Sequence, residues 1–202
     1  YILEKTSNHF KIRNEKLPFK GLKFLDIGCG GGLMSEPVCR LGAEVTGIDA
    51  SLKNIKIADS HSKKNNLKIN YINASPEELD ENEKFDVILN LEIVEHVEDV
   101  DLYFKSCTKL LKKNGLMFTA TLNRTFISFL KAIIGAEYIL RWLPIGTHDW
   151  NKFLKPKEIE NKITKLNLSI KDVKGLVFNP LSRKWKTSDD VSVNYIVVAT
   201  KS

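Results

Sequence analysis

Phe24-Leu25-Asp26-Ile27-Gly28-Cys29-Gly30-Gly31-Gly32 is the stretch on which the reading of this chain turns. Phe24 to Ile27 is an apolar run of the kind that forms a buried strand. Four glycines within five residues follow it, and Leu33 to Leu41 then has helical character. A strand that feeds a glycine turn and then a helix begins a nucleotide-binding βαβ unit. Glycine belongs there because a β-carbon would block the backbone's approach to a ligand or forbid a positive φ. The helix N-terminus beyond it offers unpaired N–H groups to a carboxylate or phosphate.

The details separate the nucleotides. A dinucleotide fingerprint needs a third glycine or an alanine at position 33, and Leu33 stands there. What remains is Asp26-x-Gly28-x-Gly30-x-Gly32, with an acid two residues before the first glycine. This pattern resembles motif I of the class I S-adenosylmethionine (SAM) methyltransferases. The resemblance implies an acid near the methionine end of the cofactor and glycines that let the backbone pass close to it. The next apolar strand, Glu44 to Asp49, ends in an acid placed to hold both ribose hydroxyls. A nicotinamide or flavin site, or a tight turn with no ligand, is the weaker reading.

A chain of 202 residues with an apolar fraction of 43% and a charged fraction of 28% suits one soluble α/β domain over residues 1–202. No run of eighteen apolar residues exists, so a spanning helix is not expected. The chain opens on Tyr-Ile-Leu-Glu-Lys, neither an initiator methionine nor a signal sequence, and reads as a trimmed chain starting inside a helix. Cys29, Cys39 and Cys107 lack disulfide or CxxC spacing, as suits a reducing compartment. Cys29 is either a nucleophile or, the better reading, a small residue tolerated in a crowded turn. The net charge of +6 is unevenly spread: Glu77 to Asp101 holds eleven acids and one lysine. Lys53 to Lys68 and Lys152 to Lys174 are lysine-rich, as solvated faces or an anionic membrane surface would require. No block has the arginine and aromatic interleaving of an RNA-binding face, so no nucleic-acid partner is expected.

Along the chain, Tyr1 to Phe10 is a helix end, and Lys11 to Gly21 a polar connection. Strands are expected at Lys23–Ile27, Glu44–Ile48, Ile69–Asn73, Phe85–Asn90 and Leu116–Thr121. Helices are expected at Leu33–Leu41, capped by Gly42, at Leu52–Asn65 behind the N-cap Ser51, and at Asp99–Lys113, stopped by Asn114-Gly115. Glu77 to Leu79 is a short helical turn. A helix over Pro156–Leu166 and strands over Leu176–Pro180 and Val191–Thr200 close the pattern. The expected architecture is Rossmann-like, as in class I methyltransferases. It has seven strands, mostly parallel, an antiparallel last strand and an insertion after strand five. The methyltransferase resemblance brings the Ala74-Ser75-Pro76 loop to the adenine, with Ser75 where an acid often stands.

The residues after strand four carry chemistry. Glu92, Glu95 and His96 have the spacing E-x-x-E-H, which shares one face if the segment is a helical turn. Two carboxylates and an imidazole there can hold a divalent metal, or His96 can act as a base. The bland reading has the acids favouring a helix dipole and His96 walling the cofactor. The segment resembles that of the ubiquinone biosynthesis O-methyltransferases. In the mitochondrial members these acids and the histidine are implicated as magnesium ligands, and the residue before them, here Leu91, contributes backbone to the SAM site.

A second run carries the same resemblance more specifically: Gly135-Ala-Glu-Tyr-Ile-Leu-Arg141, Pro144-x-Gly-Thr-His-Asp149 and Phe153-x-Lys-Pro156. In that family it belongs to an insertion covering the quinone-precursor site, here residues 124–150. Thr125 to Leu143 is apolar and aromatic with Arg124, Lys131 and Arg141 as cations, which fits either an interfacial membrane segment or a lid packed on its own core. A bilayer-resident polyprenyl substrate favours the former. His148 is read either as a base for the acceptor phenol or as a loop cap beside Asp149. The family also has an Asn-Pro-x-Arg segment before the Tyr-Ile at which this chain starts, whose arginine contacts SAM.

The resemblance therefore implies SAM-dependent O-methylation of a polyprenyl catechol and of demethylubiquinol. SAM would be bound by Asp26, Gly28, Gly30, Asp49, Ser75 and Leu91. Glu92, Glu95 and His96, with or without Mg2+, would assist the acceptor hydroxyl, and His148 or His96 would take its proton. The expected setting is the cytoplasmic face of an anionic membrane, with a ubiquinone biosynthesis complex as a partner. The rivals are a methyltransferase for another small acceptor, a non-catalytic assembly subunit that binds SAM and membrane, and, more weakly, an RNA methyltransferase.

Overall fold

The computed structural model describes residues 1–125, 128, 150–179 and 184–202. Its frame is one eight-stranded sheet in the order β3-β2-β1-β4-β5-β8-β6-β7. The strands are β1 (Lys23–Ile27), β2 (Glu44–Ile48), β3 (Ile69–Ile72), β4 (Phe85–Leu91), β5 (Leu111–Leu122), β6 (Leu168–Asn179), β7 (Lys184–Ser188) and β8 (Asn194–Lys201). β3, β2, β1, β4 and β5 pair in parallel, whereas β8 runs antiparallel to both β5 and β6. The order reverses between β1 and β4, which makes the carboxyl ends of these two strands the crevice in which such sheets bind ligands.

The central strands are continuous apolar runs because both faces are covered. Leu25, Ile88, Met117 and Val197 point into one core, closed by α4 (Val100–Leu110) and α5 (Pro156–Thr164). Phe24, Leu89, Phe118 and Ile196 point into the other, closed by α1 (Ile2–His9) and α2 (Ser35–Arg40). α3 (Leu52–Lys64) begins where the Ser51 hydroxyl accepts the Asn54 N–H at 3.3 Å. α1 is tied to β6 through Asp172, which accepts the Tyr1 hydroxyl at 3.0 Å and pairs with Lys5 at 2.5 Å. The Phe153-x-Lys-Pro156 run starts α5. Phe153 is fully buried, Pro156 takes the first helical position, and Glu158 accepts the Lys155 N–H at 2.8 Å.

Three expectations need correction. The helix expected over Asp99–Lys113 ends at Leu110. Leu111 pairs with Phe85 and opens β5, and the register shifts between Phe85 and Val87, with Asn114 at φ +59°. The strand expected over Leu176–Pro180 starts eight residues earlier, at Leu168, and an eighth strand, β7, pairs with its Gly175–Asn179 end and extends the sheet beyond the expected seven. Residues 77–79 form a plain turn in which the Glu78 N–H reaches the Ser75 carbonyl at 3.1 Å. The insertion residues with His148 and the Gly135–Asp149 signature lie outside the described residues, apart from Arg124, Thr125, Ser128 and Trp150 at its ends.

Candidate active site at the carboxyl edge of the sheet

β1 delivers Asp26 and then the glycine turn. Gly28 has φ +69°, and a β-carbon there would stand 2.8 Å from the Ile93 Cδ1, so any other residue meets a strained backbone and must displace the Ile93 side chain. Asp26 is buried, and the Ser35 hydroxyl at the head of α2 donates to it at 2.6 Å. Burial outweighs that hydrogen bond and pushes its carboxyl up to about 6. A buried acid with so little compensation is suited to a cationic neighbour.

β2 delivers Asp49 across from the turn. Its Oδ2 accepts the Gly30 N–H at 2.9 Å, and its Oδ1 accepts the Ser51 N–H at 2.7 Å. The Asn54 side-chain amide adds contacts at 3.2 and 3.3 Å. The carboxylate is thus held by two short backbone contacts, and a pair of vicinal hydroxyls would take the places of the two longer Asn54 contacts. Tyr71 on β3 lies against Gly47, where a β-carbon would stand 2.7 Å from the ring. The glycine inside the strand Glu44–Ile48 was the signal for that close approach. Cys29 is buried in the turn, and burial followed by the Asp26 and Asp49 charges pushes its thiol up to about 12. Burial and the two acids both disfavour a thiolate there, which supports the packing reading over the nucleophile one.

β4 ends at Leu91, and Glu92 follows with φ +54°, its N–H donating to the Ala120 carbonyl at 2.9 Å. Glu92 keeps more than a third of its surface open, yet protein crowds its carboxyl on the other sides. That crowding, then the neighbouring Glu95 charge, raise its pKa, while Asn194 within hydrogen-bonding reach works the other way. Glu95 is buried and accepts the Thr121 hydroxyl at 2.7 Å. His96 is exposed on the same 3-10 turn, Val94–His96. The carboxyls of Glu92 and Glu95 come within hydrogen-bonding reach of each other, but His96, consecutive with the buried Glu95, faces outward, so the face shared by all three does not form. Among the described residues no three His, Cys, Asp or Glu side chains gather as a metal site, and Glu92, Glu95 and His96 do not fit one as they stand.

Ser75 is half-buried, and its N–H donates to Glu78 at 2.6 Å, which brings an acid beside it. Arg124, read as a cation of the insertion, is paired with Glu158 of α5. A cavity of about 490 Å3 opens beside Leu91 and Glu92, between α1 and α2 and over Ala120 and Ile196. A larger cleft of about 760 Å3, lined by Lys23, Glu44 and Phe85, lies at the amino ends of the strands, the wrong edge for this chemistry. Asp26, Gly28, Gly30 and Asp49 fit SAM: an anchored acid for the ribose, a buried acid for the cationic methionine end, and a glycine-rich turn between them.

Comparison with known proteins agrees with this geometry. Residues 25–119 match the family model described as a methyltransferase domain. Among solved structures, a SAM-dependent methyltransferase from Clostridium acetobutylicum superposes with TM-score 0.71 at 17% identity, over 99% of this chain and 89% of that one. The magnesium protoporphyrin IX methyltransferase of Synechocystis with bound SAH gives TM-score 0.66 at 20% identity, over 91% and 75%. These share the fold. The ubiquinone biosynthesis O-methyltransferase of Pelagibacter ubique is 60% identical over all of this chain and 84% of its own length. That of Bartonella tribocorum is 53% identical over all of this chain and 83% of its own. At that identity over that length, the chain belongs to the ubiquinone biosynthesis O-methyltransferases and is a SAM-dependent enzyme of class I methyltransferase fold.

Proposed function

We propose that the protein methylates a hydroxyl of a polyprenylated catechol and of demethylubiquinol, with Glu92 receiving the phenolic proton. The observation that carries the reading is the position of Glu92: a carboxylate of raised pKa opening into an otherwise apolar cavity at the carboxyl end of β4. Bound SAM supplies an electrophilic methyl group on a sulfonium. Asp49 orients the ribose, and Asp26 faces the cationic end. A phenol with pKa near 10 needs help to ionise at neutral pH, and Glu92, raised to about 8, is a stronger base for it in the ionised fraction that neutral pH leaves. As the phenolate oxygen bonds to the methyl carbon, the carbon–sulfur bond breaks and S-adenosylhomocysteine leaves. The proton stays on Glu92 until solvent removes it.

His148 is the alternative base, carried by residues 124–150, which we propose cover the acceptor. No step is assigned to Mg2+, since Glu92, Glu95 and His96 are not arranged to share an ion. Among the described residues no helix is long and apolar enough to cross a membrane. A bilayer-resident acceptor and the lysine-rich faces support peripheral contact with an anionic membrane.

The test is transfer of labelled methyl from SAM to a short-chain prenyl catechol by the wild type, Glu92→Gln and His148→Ala. The expected result is label in the phenol with the wild type, and loss of roughly two orders of magnitude in kcat with Glu92→Gln. Equal activity of Glu92→Gln overturns the assignment of the base. No label on any phenol overturns the acceptor class.

A further inference from the structure

The cavity does more than reach the end of β4. Leu91 of β4 stands opposite Ala120 of β5, and Ala120 opposite Ile196 of β8. Two residues back, at the start of β8, Asn194 faces Leu176 of β6, and β6 in turn carries β7 with Trp185 opposite Phe178. All of Leu91, Ala120, Ile196, Leu176 and Trp185 line the same cavity, so it is a groove running across the strands. Neighbouring strands lie about 4.8 Å apart, and four such steps from β4 to β7 give the groove a length of roughly 19 Å. Ile2 and Leu3 of α1 form one wall, and Met34 and Val38 at α2 the other. The two carboxylate or amide side chains that line it, Glu92 and Asn194, lie within hydrogen-bonding reach of each other, which leaves the rest of the groove apolar.

Its far end is unusual for a water-soluble surface. Trp185 is 61% exposed, and Leu3 on the α1 wall is 42% exposed. Trp185 rests against Phe178 with ring centroids 5.4 Å apart, and exposed Lys184 and Lys186 flank it. A tryptophan between lysines on an edge strand is the composition of a membrane–water interface. The groove therefore has a carboxylate at one end, an apolar length, and an aromatic mouth on an edge strand whose neighbouring residues are lysines. Its occupant must be an amphiphile with a small polar head and a long apolar chain.

We propose that this groove, from Leu91 to Trp185, holds the isoprenoid tail of the acceptor, with Trp185 at the mouth through which the tail continues toward the bilayer. The proposal rests on the acceptor reading given above and adds where the tail lies. Selection for a prenylated acceptor then comes from apolar area on β5, β6, β7 and β8, apart from the chemistry at Glu92.

The test compares a catechol with a single short prenyl group and one with a long tail, presented in anionic vesicles, on the wild type, Leu176→Asp and Trp185→Ala. The expected result is a rise in KM of roughly tenfold for the long-tailed acceptor, with the short one and SAM affinity changed by less than about twofold. Equal effects on both acceptors, or none on either, overturn the groove. A second readout needs no turnover: a photoreactive prenyl catechol should cross-link to peptides carrying Leu3, Leu176 or Trp185. Cross-links confined to residues 124–150, or abolished when residues preceding Tyr1 are present, assign the tail elsewhere and overturn the proposal. Cross-linking at the groove without methylation of either acceptor would leave the isoprenoid site standing and remove the reading of the reaction.

Discussion

The backbone N–H of Gly30 donates to the Asp49 carboxylate at 2.9 Å, so the end of β2 holds the turn that follows β1. One side chain thereby does two things. It fixes the glycine turn, and its two lone-pair sites now facing the Asn54 amide are the ones a ribose would take. Asp49→Asn keeps the shape but loses the charge that strengthens each of these hydrogen bonds, worth about 1.5–3 kcal/mol. SAM dissociation constants should rise roughly 10- to 100-fold by titration calorimetry. An unchanged affinity would mean that SAM does not use Asp49.

Gly28 offers a sharper test of how rigid the turn is. Gly28→Ala meets two separate penalties, a left-handed φ of +69° and a clash with Ile93. The first costs about 1–3 kcal/mol and no neighbour can relieve it. The second is relieved by trimming Ile93. In a double-mutant cycle read by thermal unfolding, Gly28→Ala with Ile93→Ala should be less destabilised than the two single effects added together. Strict additivity would show that the turn moves out of the way.

Much of this site was legible because it is local. Asp26, Gly28, Gly30 and Asp49 fall within two adjoining strands and one turn, where spacing alone sets the geometry, and β1 and β2 have their expected bounds. Tyr71 against Gly47 depends on the register of β3 beside β2, and the Glu92–Asn194 contact on the long return of β8, neither of which a local pattern encodes. β7 was missed because Lys184 to Thr187 are all exposed, so no burial alternation marks the strand. Leu111 would extend the apolar stripe of α4 by one residue and fits equally on the buried face of β5. Only its pairing with Phe85 decides between them.

The placement of Glu95 and His96 makes a statement about metal dependence. Glu95 is buried and engaged by the Thr121 hydroxyl, whereas His96 is exposed one residue later. An ion there would have to break the first contact and turn the second residue inward. His96→Ala should behave as an ordinary surface substitution, with kcat/KM within about twofold of the wild type and stability within about 0.5 kcal/mol. Methyl transfer should survive treatment with a chelator. Loss of activity on chelation, restored by magnesium and absent in His96→Ala, would show that the turn rearranges to bind metal.

Asp26 ties pH to both stability and cofactor binding. Its native pKa of about 6 lies above the ordinary value of 3.8, so between these values the folded chain holds a proton that the unfolded chain has released. Stability therefore falls as pH rises through that window, by roughly 3 kcal/mol in total, and stays lower above it. Asp26→Asn should remove the slope and leave the SAM-free protein more stable at pH 7. Binding runs the other way. A cationic methionine end beside Asp26 favours the carboxylate, so below pH 6 binding must expel the proton, and SAM affinity should fall about tenfold per pH unit on acidification. Calorimetry in buffers of different ionisation enthalpy should register that proton release for the wild type and none for Asp26→Asn. An affinity independent of pH from 5 to 8 would mean that the buried acid is ionised before SAM arrives, and the slope in stability would then be absent as well.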